Sequence, residues 1–177
     1  MNYGEIKYHD IANGPGVRVS LFVSGCTHRC KGCFNEVAWD FGYGSPFNDV
    51  IRGRIIAGCD PYYISGLSIL GGEPMEAQNQ EAILLLLREF RSKLREKTIW
   101  CYSGYTYEEL MDKNNKRCHC KITDELLGMI DILVDGEFIE EKKDISLKFR
   151  GSSNQRIIDL NKTRKAGRIV LWDDCQC

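Results

Sequence analysis

The stretch Gly14-Pro-Gly-Val-Arg-Val-Ser-Leu-Phe-Val-Ser-Gly-Cys26-Thr-His-Arg-Cys30-Lys-Gly-Cys33-Phe-Asn35 decides how this chain is read. Val17 to Ser24 is β-rich and ends at Gly25, which suits a strand running into a backbone turn. A Cys-x3-Cys-x2-Cys array follows at once. Three thiolates on one tight loop can hold a cubane iron–sulfur cluster and leave one of its irons without a protein ligand. An open iron can bind a small molecule and pass it an electron. The competing reading is a zinc ion completed by His28 or a distant cysteine, since zinc accepts tetrahedral sulfur and nitrogen ligands. Structural zinc sites usually pair two cysteine knuckles, and the sequence holds no second Cys-x2-Cys. The spacing therefore favours a cluster.

Outward from that loop, helical and strand patterns alternate. Phe47 to Gly58 has helical spacing, and Tyr62 to Leu70 reads as a strand stopping at Gly71-Gly72. Glu76 to Glu96 is amphipathic, with Ile83, Leu87, Phe90 and Leu94 on one core-facing stripe. Thr98 to Tyr102 reads as a strand and Tyr107 to Met111 as a short helix. Thr123 is expected to cap a helix through Ile130, and Asp131 to Val134 is a buried-type strand. Arg156 to Leu160 and Arg168 to Trp172 read as two last strands. This alternation predicts an α/β fold built on a parallel sheet with right-handed crossovers. A complete eight-unit barrel usually needs about 250 residues. The chain has 177, so the expected architecture is a single-domain, incomplete (open) parallel β/α barrel, with 161–177 as a C-terminal extension. Its chemistry belongs at the carboxyl ends of the strands, where Gly71-Gly72-Glu73-Pro74, Ser103-Gly104 and Asp135-Gly136 join the cysteine loop.

Composition sets the outer bounds. The residues are 43% hydrophobic and 28% charged, with a net charge of -1, which gives no reason to expect a nucleic acid or an anionic membrane as partner. No apolar run approaches the roughly 20 residues of a membrane span, and no secretory signal is visible, so a cytoplasmic protein is expected. Nine cysteines are many for this length. In a reducing compartment they suggest metal or thiol chemistry rather than disulfides. Cys59 and Cys101 stand alone. Cys118-His119-Cys120 and Cys175/Cys177 are either the halves of a second metal site or surface thiols. His9 and His119 show no triad logic.

Gly71-Gly72-Glu73-Pro74 alone would pass for a strand-to-helix turn with a capping acid. Beside a cysteine loop, its glycines allow close backbone approach to a ligand and Glu73 offers a carboxylate to an ammonium group. Together the two motifs resemble the radical S-adenosylmethionine superfamily. The resemblance implies a [4Fe-4S] cluster on Cys26, Cys30 and Cys33, with S-adenosyl-L-methionine bound at the open iron and its amino group near Gly71, Gly72 and Glu73. Gly32 stands where many members carry an aromatic residue; its backbone, or packing by Phe34, would then meet the adenine. Ser103 and Asp135 sit at strand ends where related proteins place polar groups near the methionine carboxylate or a cation, and are also ordinary turn residues. Arg18 is expected to support the cluster loop or pair with a carboxylate, and Asn35 to cap the turn after Cys33.

The flanks, Gly14-Pro15-Gly16-Val17-Arg18, Phe22, Gly25 and Asn35, resemble the glycyl-radical-enzyme activases. Val23 to Cys26, Gly32 to Asn35, Trp39, Leu133 to Gly136 and Phe149 to Arg156 are similar to the branch that acts on anaerobic ribonucleotide reductase. What this implies is one-electron cleavage of S-adenosylmethionine and transfer of a hydrogen atom from a glycine of the partner. The implied partners are that reductase's large subunit, a glycyl radical enzyme, and a flavodoxin- or ferredoxin-type electron donor. Activation of another such enzyme, for example pyruvate formate-lyase, is the nearest alternative; a zinc-stabilised module without catalysis, or a radical enzyme acting on a free metabolite, are more distant ones. Lys142 to Arg168 carries nine Lys/Arg against two acids, either a solvated face or a surface that docks a large partner.

Overall fold

The computed structural model describes residues 1–173. Seven strands form one sheet: β1 (Asn2–Asp10), β2 (Val17–Val23), β3 (Ser45–Pro46), β4 (Ile64–Gly71), β5 (Thr98–Tyr102), β6 (Ile132–Asp135) and β7 (Arg156–Asp159), in the order β3-β1-β2-β4-β5-β6-β7. The central pairs β2/β4, β4/β5 and β5/β6 are parallel, whereas β1/β2, β1/β3 and β6/β7 are antiparallel. The sheet is thus mixed and open, not wholly parallel as expected from the alternating pattern. Helices α1 (Asp49–Cys59), α2 (Ala77–Lys93), α3 (Tyr107–Met111) and α4 (Thr123–Met129) lie in the connections between parallel strands, and α5 (Leu160–Ala166) follows β7.

Alternation along the strands separates two faces. Val19, Leu21 and Val23 of β2, Leu67 and Ile69 of β4, Ile99 and Cys101 of β5 and Leu133 of β6 join the main core, with Ile83, Leu87 and Phe90 of α2. Leu94, fourth in the predicted stripe, is buried in the same core. The opposite face carries Trp100, Ile132 and Val134, packed against Tyr102, Phe149, Ile157 and Trp172. Trp100, Phe149 and Trp172 meet edge to face, with centroids 5.2 to 6.1 Å apart, a geometry aromatic quadrupoles favour. Phe149 belongs to the segment after β6, so this second cluster brings residues 137–155 across the sheet.

Local chemistry fixes the element ends. The Asn48 side chain accepts from the Ile51 amide at the start of α1, and Thr106 with Glu109 makes a capping box on α3. Thr123 does not cap α4: Ile122 holds the cap position, and the Thr123 hydroxyl donates to Gln80 Oε1 at 2.7 Å. Arg168 to Trp172 is not a strand either. It meets β7 through a single bridge, Ile158 to Leu171, flanked by two backbone bonds. Between the two lies α5, capped by Asp159, whose carboxylate accepts from the Lys162 amide.

Arg18 lies at the amino end of the parallel strands, opposite Gly66 of β4 and away from the cysteine loop. It is fully buried and donates to Ser68 Oγ, Thr98 Oγ1 and the carbonyls of Leu67 and Thr98, with its guanidinium 5.7 Å from the Trp100 ring centre. Burial pushes its pKa down to about 10. It closes the floor of the sheet; it neither supports the cluster loop nor pairs with a carboxylate.

Candidate cluster and ligand site

At the carboxyl edge of the parallel strands, two glycines let the β4 turn pass under the cysteine loop. A side chain on Gly71 (φ +111°) would meet the Val23 backbone at 2.7 Å, and one on Gly72 would meet the Gly25 carbonyl at 2.6 Å. That closeness allows backbone bonds between the motifs: Gly72 N–H to Val23 O at 2.7 Å, and Glu73 N–H to Gly25 O at 2.8 Å. The Asn79 amide ties Ser24 O and Glu73 O from below. The cysteine loop is therefore stitched to the turn through main chain.

A cavity of about 520 Å³, within the range for small-molecule sites, opens at this edge. Cys26, Cys30, Cys33, Gly32, Phe34, Gly71, Gly72, Glu73 and Ser103 all line it. Asp135 does not: its neighbour Gly136 does, while the Asp135 carboxylate accepts from Arg156 at 2.5 and 3.0 Å and from the Tyr107 amide at 2.7 Å. Phe34 stands at the mouth, 83% exposed. Asn35 supplies its backbone rather than its side chain, the N–H reaching Cys33 Sγ at 3.5 Å.

The three cysteines are free and partly exposed. Burial raises the Cys26 thiol to about 11, and burial with the nearby Glu137 charge raises Cys30 to about 12. Metal binding takes them as thiolates and releases protons. Among the described residues, no three His, Cys, Asp or Glu side chains converge as a single-ion site. Three separate thiols around one cavity fit a larger cluster.

Glu73 is nearly inaccessible, at 1%. Oε1 accepts from the Ser103 hydroxyl at 2.9 Å and the Met75 amide at 2.8 Å; Oε2 accepts from the Gly104 amide at 2.6 Å. His28, from the cysteine loop, packs at a tilt against Tyr105 with ring centres 4.3 Å apart and places Nε2 3.3 Å from Glu73 Oε2, close enough for an ion pair but poorly aligned for a hydrogen bond. Burial works against protonated His28, yet the adjoining Glu73 carboxylate holds its pKa above the usual value. His28 thus faces Glu73 rather than completing a thiolate set. The role of Tyr105 had no mark in the sequence.

Residues 143–151 form much of the cavity wall, with Lys143, Asp144, Ile145, Leu147, Phe149, Arg150 and Gly151 all lining it. The expected basic face is partly consumed internally, since Arg156 holds Asp135 and Glu108, and Arg164 donates to the Leu127 and Ile130 carbonyls. Tyr102 also lines the cavity, its buried hydroxyl without a hydrogen-bond partner among the described residues. Cys59 and Cys101 are core thiols. Cys118 donates to Glu109 O, Cys120 contacts Gln80 and His119 Nδ1 lies 2.7 Å from Leu110 O; Cys175 and Cys177 lie outside the described residues.

Similarity to known proteins places the chain at two levels. Residues 12–158 match the family of 4Fe-4S single cluster domains, so the class is that of a protein built around one such cluster. The anaerobic ribonucleoside-triphosphate reductase-activating protein of Vibrio cholerae is 42% identical over 159 residues, covering 89% of this chain and 97% of that protein. Proteins of the same name from Escherichia coli K12 and Enterobacteria phage T4 are 40% and 35% identical over 157 residues, covering 88% and 89% of this chain and 96% and 93% of theirs. The chain belongs to the family of anaerobic ribonucleoside-triphosphate reductase-activating proteins.

Proposed function

We propose that this protein is a radical S-adenosylmethionine activase that installs a glycyl radical in an anaerobic ribonucleotide reductase. The observation that carries the reading is the convergence of Cys26, Cys30 and Cys33 with Gly71, Gly72, Glu73 and Ser103 on one cavity. The donor set suits a [4Fe-4S] cluster with one open iron. When bound, the cluster supplies the electron that cleaves S-adenosylmethionine to methionine and a 5′-deoxyadenosyl radical, which takes hydrogen from the partner's glycine.

The chain's own residues bind, orient and exclude water. Glu73 is fixed by three donors, so a ligand ammonium would meet a carboxylate already in place. The bare Gly71-Gly72 backbone lets this turn lie directly against the cysteine loop. The wall formed by residues 143–151 shields the cavity from the side. The reductase's large subunit is the partner, and a flavodoxin- or ferredoxin-type protein the electron donor. Among the described residues no helix is long and apolar enough to cross a membrane.

The test is anaerobic incubation of the iron-loaded protein with the reductase, S-adenosylmethionine and a reductant. A glycyl radical signal on the reductase, with 5′-deoxyadenosine released, is expected. Radical formation on pyruvate formate-lyase and none on the reductase would move the assignment to the alternative partner.

A further inference from the structure

The three residues between Cys26 and Cys30 carry a feature that the thiols do not explain. Glu76 is the N-cap residue of α2, yet its side chain makes no cap bond. Its carboxylate, 5% exposed, turns to the cysteine loop instead. Oε1 accepts from the Thr27 amide at 2.8 Å and from the Thr27 hydroxyl at 2.5 Å, and the Tyr105 hydroxyl approaches it at 3.4 Å. Other groups serve the first turn: the Ala77 amide donates to the Arg117 carbonyl at 3.1 Å and the Asn79 amide to the Glu76 carbonyl at 2.8 Å. Arg117 returns to the same point, donating from its guanidinium to Thr27 Oγ1 at 2.9 Å and lying 5.4 Å from the Tyr105 ring centre.

An acid at a helix N-cap ordinarily satisfies the helix's own amides. Here the helix gives up that bond, and the acid satisfies the backbone of the loop that carries the thiols. We infer that Glu76, with Thr27 and Arg117, is a positioning clasp that sets the height of the cysteine loop over the Glu73 carboxylate. Glu73 and Glu76 leave the same turn three residues apart, and each meets one of two successive loop residues, His28 and Thr27. The clasp therefore fixes the distance between whatever the thiols hold and whatever Glu73 holds. The part of this inference that concerns S-adenosylmethionine rests on the function proposed above; the restraint of the loop does not.

The experiment compares wild type with Glu76→Ala, Thr27→Val and the conservative Thr27→Ser. Amide hydrogen exchange of residues 26–30 is read first, on anaerobic metal-free protein. Thr27→Val loses the hydroxyl bond to Glu76 but keeps the amide bond, which predicts about tenfold faster exchange; Glu76→Ala loses both and should exchange faster still, and Thr27→Ser should keep near wild-type protection. Iron-loaded samples then give the electron paramagnetic resonance response to S-adenosylmethionine. Thr27→Val should assemble the cluster but need about tenfold more S-adenosylmethionine to change its spectrum, and Thr27→Ser should restore it. Thr27 is exposed, so that pair remains informative if Glu76→Ala fails to fold. Wild-type exchange in Thr27→Val would overturn the clasp, and so would a wild-type titration in a loop that exchanges faster. If wild type assembles no cluster, the proposed function fails while the exchange measurement still decides the clasp.

Discussion

Replacing Glu73 by Gln keeps shape and volume and changes only charge and hydrogen-bond sense. In the native site Oε1 accepts from Ser103 and Met75, and Oε2 accepts from Gly104. A glutamine must put an NH2 group in one of those places. In the first orientation it faces the Met75 amide; in the second it faces the Gly104 amide, held at 2.6 Å in the native protein. Either way one backbone N–H next to a 1%-exposed side chain loses its acceptor. An unsatisfied buried donor costs about 1–3 kcal/mol. For a chain of this size, that is a fall in Tm of about 2–12 °C. Thermal unfolding of the metal-free protein, followed anaerobically by far-ultraviolet circular dichroism, measures it without involving the cluster. A Tm equal to wild type would refute the idea that Glu73 is held in place by these three donors. On the loaded protein, the same variant is expected to take up iron normally and bind S-adenosylmethionine more weakly.

Other outcomes follow from the same geometry. Arg18→Lys keeps a charge at the floor but loses the fork to the Leu67 and Thr98 carbonyls, and should lower stability by about 2 kcal/mol in urea unfolding with unchanged iron uptake. Tyr102→Phe removes a hydroxyl with no described partner, so the metal-free protein should unfold at an equal or higher denaturant concentration; a loss above about 1 kcal/mol would show that the hydroxyl is already engaged. Asp10 is pushed up by burial but pulled further down by bonds from Ser20, Ala12 and Asn13, so its folded pKa lies below 3.8. Its contribution is complete above the unfolded value and is lost as pH falls through the folded one. Asp10→Asn should therefore flatten the stability profile below about pH 4, and an unchanged slope there would contradict the assignment.

The sequence showed the site better than the frame around it. The cysteine loop and Gly71-Gly72-Glu73 announced themselves because their chemistry is local, each on one turn at the end of an apolar strand. Strand β1 gave no such sign. It lies toward the sheet edge with most side chains outside the core, so Asn2 to Asp10 reads as a polar terminus rather than an alternating strand. The antiparallel return of β7 was equally hidden, because a short apolar run does not encode its direction. Asp135 looked like a ligand residue from its place at a strand end, but Arg156, distant in sequence, takes its carboxylate. Glu76, Tyr105 and Arg117 escaped notice for the same reason. Their meaning depends on three segments meeting at Thr27, and no spacing within any one of them reports it.

The most direct test of the account is electron paramagnetic resonance of anaerobically iron-loaded, dithionite-reduced protein, before and after S-adenosylmethionine is added. The account predicts a reduced [4Fe-4S] signal whose shape changes when the ligand occupies the open iron, and no cluster in Cys30→Ala. A cluster signal indifferent to S-adenosylmethionine, or full iron loading without Cys30, would contradict it.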